Sequence, residues 1–341
     1  MTMHGQRSFD APCPRKVTAR IACALLFLFT GACDSKRENA AVNARDRVES
    51  AGPLRVFVSI VPQADFVKRI AGDRAEVEVM VGPGQSHHTY EPTPRQISRL
   101  AESCAYFQIG LPFERMVCDR IAKIAPSVRL IDTTRSVRYR EMTGCCAAHD
   151  EPSRRGEHDE SQSSHSHAGR DPHIWLSPRL VKVLARNIRD ALVEIDPAGT
   201  ANYGAGLARF EQDLDELDAR IRDRLKPYAG RAFLVFHPAY GYFADEYGLV
   251  QVSVEEDGKE PSARRLVELV ARAKALGIKR VFVQPQFAVG GAKAVADAIG
   301  ARVVPLDPMT IDYERDLWTM AERLGEGFAA QGHSPVAAAR E

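Results

Sequence analysis

The chain predicts an α/β fold in two halves, each a mostly parallel sheet flanked by helices, with one long helix between them. Three observations predict it. Short β-branched runs alternate with amphipathic runs before and after the middle of the chain, as in βαβ units. Leu207, Phe210, Leu214, Leu217, Ile221 and Leu225 recur at steps of three and four, a stripe of roughly 27 Å that can pack along both halves. With 341 residues, 45% of them hydrophobic, the chain is large enough for two cores.

The elements follow in order. Leu54 to Ile60 is an apolar, β-branched strand. A helix from Pro62 to Ala71 leads to a strand at Ala75 to Val81, with Val77 and Val79 in period two. The turn Gly82-Pro83-Gly84 opens a loop, and a helix runs from about Thr93 to Ser103. Strand Tyr106 to Gln108, helix Phe113 to Ala125 and strand Val128 to Asp132 close the first half. Helices are expected from Arg179 to Ile195 and, after Asp196-Pro197, from Ala201 to Lys226. The second half repeats the rhythm with strands at Ala232 to Phe236, Leu249 to Ser253, Arg280 to Gln284 and Arg302 to Leu306. Helices fall near Ala239 to Tyr247, Ser262 to Leu276, Val289 to Ile299 and Tyr313 to Ala329. Ser262 is the expected cap of its helix.

Charge excludes one class of partner. The 46 basic and 45 acidic residues give a net charge of +1 and are spread along the chain, so nucleic acid is not an expected partner. At the N-terminus Arg7, Arg15, Lys16 and Arg20 precede a short apolar run, Ile21 to Phe29, ending in Thr30-Gly31-Ala32-Cys33. A run of about ten residues is too short to span a bilayer, which needs about 20, and reads as a cleaved signal peptide over 1–32. Gly31 and Ala32 before Cys33 have the small side chains of a lipoprotein cleavage site, with Cys33 the acylated residue. Residues 33–52 are charged and poor in large apolar side chains, as a tether is. Among the remaining cysteines a Cys104–Cys118 disulfide is possible in an oxidising compartment.

Thr133 to Arg170 interrupts the α/β rhythm and is too long for an ordinary connection. From about 145 to 168 it carries Cys145, Cys146 and the histidines His149, His158, His165 and His167 among acidic residues. Short tracts of this kind are auxiliary metal binders, or else solvated linkers.

Four residues have fixed surroundings next to strands or helices. His88 lies in Gly84-Gln-Ser-His-His-Thr-Tyr-Glu-Pro-Thr-Pro94, His173 in Asp171-Pro-His-Ile-Trp-Leu-Ser-Pro178, and His237 in Phe233-Leu-Val-Phe-His-Pro-Ala-Tyr240. Asp307 follows the strand in Val303-Val-Pro-Leu-Asp-Pro308. Ligands gather at the carboxyl ends of strands in open α/β sheets, and three neutral imidazoles with one carboxylate suit Zn²⁺. Gln284-Pro-Gln-Phe287 ends a strand facing the same region and is expected to line the pocket without touching metal. No catalytic residue is expected.

These segments resemble the metal-binding solute-binding proteins of ABC importers for zinc or manganese, zinc-uptake subgroup. The resemblance covers the whole mature chain. His88 matches the histidine of the His-Thr-Tyr-Glu-Pro-Thr-Pro segment, His173 that of Asp-Pro-His-Ile-Trp, His237 that of the post-strand Phe-His, and Asp307 the carboxylate of Leu-Asp-Pro. His87 stands where the family usually has proline, as a spare or supporting ligand. The resemblance implies an N-terminal lobe (53–195), a linking helix (196–227) that limits hinge motion between the lobes, and a C-terminal lobe (228–341). It implies Zn²⁺ as transported ligand, since histidine at the third position goes with zinc, and it implies the His-rich insertion. The expected protein is a monomeric periplasmic receptor, membrane-anchored through Cys33, that delivers zinc to an inner-membrane ABC permease and is not an enzyme.

The alternatives are a manganese or iron receptor of the same class, a zinc-dependent hydrolase, and an adhesin. Against the hydrolase, Asp307 would fill the position a catalytic water needs, and no His-Glu-x-x-His helix occurs.

Overall fold

The computed structural model describes residues 52–141, 169–255, 261–287 and 289–331. The expected signal peptide, Cys33, nearly all of the tether, Cys145, Cys146 and the loop histidines His149, His158, His165 and His167 lie outside the described residues.

The first half begins with β1 (Leu54–Ile60), buried along nearly its whole length, as a strand covered on both faces must be. It continues through α1 (Val61–Ala71), β2 (Ala75–Val81), α2 (Pro94–Ala101), β3 (Ala105–Gln108), α3 (Glu114–Ile124) and β4 (Arg129–Asp132). All pairings are parallel, in the order β2-β1-β3-β4. A 3-10 turn at Ile174–Leu176 precedes α4 (Pro178–Ile195) and the long α5 (Thr200–Leu225). The second half is β5 (Ala232–Val235), α6 (Gly241–Tyr247), β6 (Val250–Ser253), α7 (Ala263–Ala275), β7 (Arg280–Val283), α8 (Val289–Ile299), β8 (Arg302–Pro305) and α9 (Tyr313–Ala330). Its order, β6-β5-β7-β8, repeats the winding of the first sheet, again all parallel. Every expected element is present, with ends within two residues of those read from the sequence.

Local chemistry sets several starts. Thr93 and Gln96 form a reciprocal capping box on α2, and Ser177 and Ser262 cap α4 and α7 by accepting from the amides of Leu180 and Arg265. The six stripe residues of α5 are all buried, in one hydrophobic cluster that also takes side chains from β1, β3, β5 and α9. At Gly206 α5 touches α1 directly: a Cβ there would lie 2.3 Å from the Ile70 carbonyl oxygen. Arg69 of α1 joins the same helices electrostatically, reaching Asp65 at 2.9 Å, Asp213 of α5 at 3.1 Å and Glu314 of α9 at 2.5 Å. The long helix thus packs against elements of both halves. A second cluster fills the other face of the second sheet, under α7 and α8.

In each sheet the winding reverses between the two central strands, the position where α/β folds leave a crevice. In the first sheet this point is plugged by polar side chains. Glu114 accepts from the amides of Ile109 (2.8 Å), Gly110 (2.8 Å) and Leu111 (3.0 Å) and from the Ser59 hydroxyl, and Ser59 also meets the Tyr106 hydroxyl at 2.7 Å. In the second sheet the same point carries His237, after β5, and Gln284, after β7.

One sequence expectation is corrected. Cys118 is a free thiol while Cys104 is disulfide-bonded, so these two are not bridged. Cys118 packs against the apolar cluster from α3, and burial pushes its thiol up to about 12, with the Glu114 and Asp119 carboxyls adding to the effect. It is a core residue rather than a reactive one. Among the described residues no helix is long and apolar enough to cross a membrane.

Candidate metal centre

Three separate segments deliver the histidines. The loop after β2 carries His87 and His88, the Asp171-Pro172 segment before the 3-10 turn carries His173, and the end of β5 carries His237. Trp175, fully buried, anchors the middle segment by donating its indole N–H to the Pro308 carbonyl at 2.8 Å, and Tyr242 donates to the Asp171 carbonyl at 2.9 Å.

The rings converge. His88 and His237 bring their Nε2 atoms to 2.9 Å, and the His173 ring lies 5.8 Å from that of His88 and 5.3 Å from that of His237, centre to centre. In a tetrahedron with Zn–N of about 2.0–2.1 Å the ligand atoms stand about 3.3 Å apart, so His88 and His237 need part by only a few tenths of an ångström to share an ion. His173 and His237 are almost wholly buried, and His88 is partly exposed.

Two carboxylates orient these rings. Asp171 Oδ1 accepts from His173 Nδ1 at 2.7 Å and from the His173 amide at 3.0 Å, while its other oxygen accepts from Arg140 at 2.9 Å. Glu255 accepts from His237 Nδ1 at 2.6 Å. A proton held on Nδ1 leaves the Nε2 lone pair free, and a hydrogen-bonded carboxylate makes the imidazole a better donor to a cation. His173 Nε2 is buried and has no hydrogen-bond partner, a situation that costs about 1–3 kcal/mol and that a cation relieves. With Arg140 counted, the two carboxylates leave the pocket with a net charge of −1, so it attracts a cation.

The protonation balance agrees. Burial, and then repulsion from His173 and His88, hold His237 well below the usual histidine range, so it is neutral and ready to ligate. Burial pushes Asp171 up, but its hydrogen bonds from His173 and Arg140 outweigh this and hold it below the usual carboxylate range.

Asp307 sits against the pocket-lining segment. Its Oδ1 accepts from Gln286 Nε2 and from the Met309 amide, both at 2.9 Å, an arrangement in which the carboxylate holds its own turn. Gln284-Pro-Gln-Phe287 does line the pocket: Phe287 stacks on His237 with centres 4.9 Å apart and planes 17° apart, and Gln284 donates to the His237 carbonyl at 3.3 Å. His87 is inside the cluster; among the described residues, His87, His88 and His173 are the group whose ligand atoms all lie within 4.8 Å of one another.

The roles of Asp171 and Glu255 were not read from the sequence. Asp171 had a signal, standing two residues before His173. Glu255 had none: it reaches His237 because the chain beyond β6 stays paired with β5, the Glu255 amide donating to the Phe236 carbonyl at 2.9 Å.

Residues 56–323 match the family described as zinc-uptake complex component A periplasmic, ZnuA. The zinc-binding protein AdcA of Streptococcus pyogenes serotype M3 is 29% identical over 267 residues, which are 77% of this chain and 52% of that protein. The chain therefore spans about half the length of that relative. The high-affinity zinc uptake system protein ZnuA of Yersinia pestis is 31% identical over 268 residues, 74% of this chain and 82% of that one. A crystal structure of ZnuA is similar at a TM-score of 0.73 and 37% identity, over 81% of this chain and 99% of the other. A zinc-bound ZnuA deletion mutant is similar at 0.71 and 36%, over 81% and 98%. The match running from β1 into α9 makes this chain a member of the ZnuA family, the periplasmic component A of zinc-uptake complexes.

Proposed function

We propose that the chain is a zinc receptor of an ABC importer: it takes up one Zn²⁺ through His88, His173 and His237 and gives it to a membrane permease. The observation that carries this reading is the pair of buried imidazoles, His173 and His237, each with Nδ1 on a carboxylate, the His237 Nε2 against that of His88 and the His173 Nε2 buried without a partner. Imidazole donors favour Zn²⁺ over Mn²⁺, which leans toward oxygen. Asp307 is the fourth donor, through its second oxygen, since the bonds from Gln286 and Met309 both fall on Oδ1. Binding is the whole function and no turnover is needed; the zinc-bound relatives and their names support the same ligand. The protein acts as a monomer in the periplasm, tethered through Cys33.

Competitive titration of the mature protein with Zn²⁺ and Mn²⁺, on wild type and His237→Ala, tests this. One tight Zn²⁺ site, weakened by orders of magnitude in the variant, is expected. A preference for Mn²⁺, or hydrolytic turnover by the zinc-loaded wild type, would overturn it.

A further inference from the structure

We infer that His87 is a metal ligand of this chain: with His88 and His173 it forms a second three-imidazole set, which receives the ion without His237. The inference rests on the zinc-receptor reading and extends it to the order in which ligands engage.

Adjacent residues in an extended chain point their side chains in opposite directions, but here they do not. The loop bends, and the rings of His87 and His88 lie 4.0 Å apart, centre to centre, inclined by 39°. The His87 ring is also 5.3 Å from that of His173 and edge-on to Trp175 at 5.7 Å. His87 is 6% exposed and its Nε2 is buried without a hydrogen-bond partner, as is the Nε2 of His173. Two orphaned imidazole nitrogens and His88, with ligand atoms all within 4.8 Å, make a donor set of the size zinc sites use when a position is left open. A residue kept only for packing would not need a nitrogen there.

The two sets share His88 and His173. His87, His88 and His173 all come from segments before α5, whereas His237 comes from after it. An ion held by the first set therefore needs only one exchange to reach the second. The His87 Nε2–metal bond breaks, the His237 Nε2–metal bond forms, and both imidazoles stay neutral, so no proton or charge is left over. The open fourth position admits His237 before His87 leaves.

The test uses full-length mature protein in which His149, His158, His165 and His167 are alanine, so that the loop does not contribute. Wild-type site, His237→Ala, His87→Gln and the double variant are titrated with Co²⁺, read by visible absorption, and with Zn²⁺ against a chelator. His237→Ala is expected to keep one site with tetrahedral Co²⁺ bands, and adding His87→Gln should weaken it by about 100-fold or more, beyond the loss typical of a supporting residue. His87→Gln alone should slow Zn²⁺ association while lowering equilibrium affinity less than about tenfold, because His237 replaces the lost donor. Equal affinities for His237→Ala and the double variant would overturn the role of His87. As a check that does not depend on the double variant folding, the His87 ring nitrogen in ¹¹³Cd²⁺-loaded His237→Ala should couple to the metal in NMR spectra; absence of that coupling also overturns it. A wild type with no tight site would instead sink the receptor reading itself, so the two failures are distinguishable.

Discussion

Asp171→Asn isolates the contribution of a carboxylate that never touches the ion. Asp171 is fully buried and uses both oxygens: one for the His173 ring at 2.7 Å and amide at 3.0 Å, the other for Arg140 at 2.9 Å. Asparagine keeps the shape but replaces one oxygen with a donor. If its amide faces His173, Nδ1 must accept, the proton moves to Nε2, and His173 ceases to be a ligand. If the oxygen faces His173, the amide confronts Arg140, which is partly exposed and has Asp245 at 3.0 Å as an alternative partner. The second orientation costs less and will dominate. Zinc affinity should then fall about 10- to 100-fold, about 1.4–2.7 kcal/mol, through a less basic imidazole. The unpaired contact should separately lower folding stability by about 1–3 kcal/mol. Chelator-competition titration measures the first effect and urea unfolding of the metal-free protein the second. A folded variant that loses stability yet binds zinc within about twofold of wild type would refute the argument that Asp171 tunes His173.

Three further outcomes are expected. Gly206→Ala should cost about 1–3 kcal/mol or more in chemical unfolding, because the new Cβ meets the Ile70 backbone oxygen at 2.3 Å and α1 must retreat from α5. Removing residues 142–168 and rejoining the ends through a short Gly-Ser link should leave the tight zinc site within about threefold of wild type, well short of the loss from removing even a supporting residue, since Glu141 and Arg170 are already bridge partners across the gap; loss of tight binding would show that the loop supplies a ligand. Burial pushes the Glu114 carboxyl up from 4.5 to about 7 against its four hydrogen bonds. The folded state therefore holds this proton more tightly than the unfolded chain, so Glu114's contribution to stability is complete below about pH 4.5 and is lost as pH rises through about 7. Glu114→Gln should flatten that part of the pH–stability curve measured by urea midpoints, and an unchanged slope would contradict it.

The sequence by itself determined the elements and their order. Strand and helix periodicities, the capping residues Thr93, Ser177 and Ser262, and the stripe on α5 are local properties, readable wherever the chain's own neighbours decide the outcome. The positions of His88, His173 and His237 at loop and strand ends were legible for the same reason. Tertiary structure decided what those residues meet. Whether the His87 ring turns toward His88 depends on a bend in the loop after β2, and whether Glu255 or Glu256 serves His237 depends on how far β6 stays paired with β5, a contact between residues 18 apart. Asp307 reads as a fourth ligand because it shares the post-strand setting of His237. Only in three dimensions do Gln286 and the Met309 amide meet one of its oxygens, Oδ1. Metal centres are built from long-range convergence, so sequence names the donors, while the folded chain chooses which lone pairs are left free.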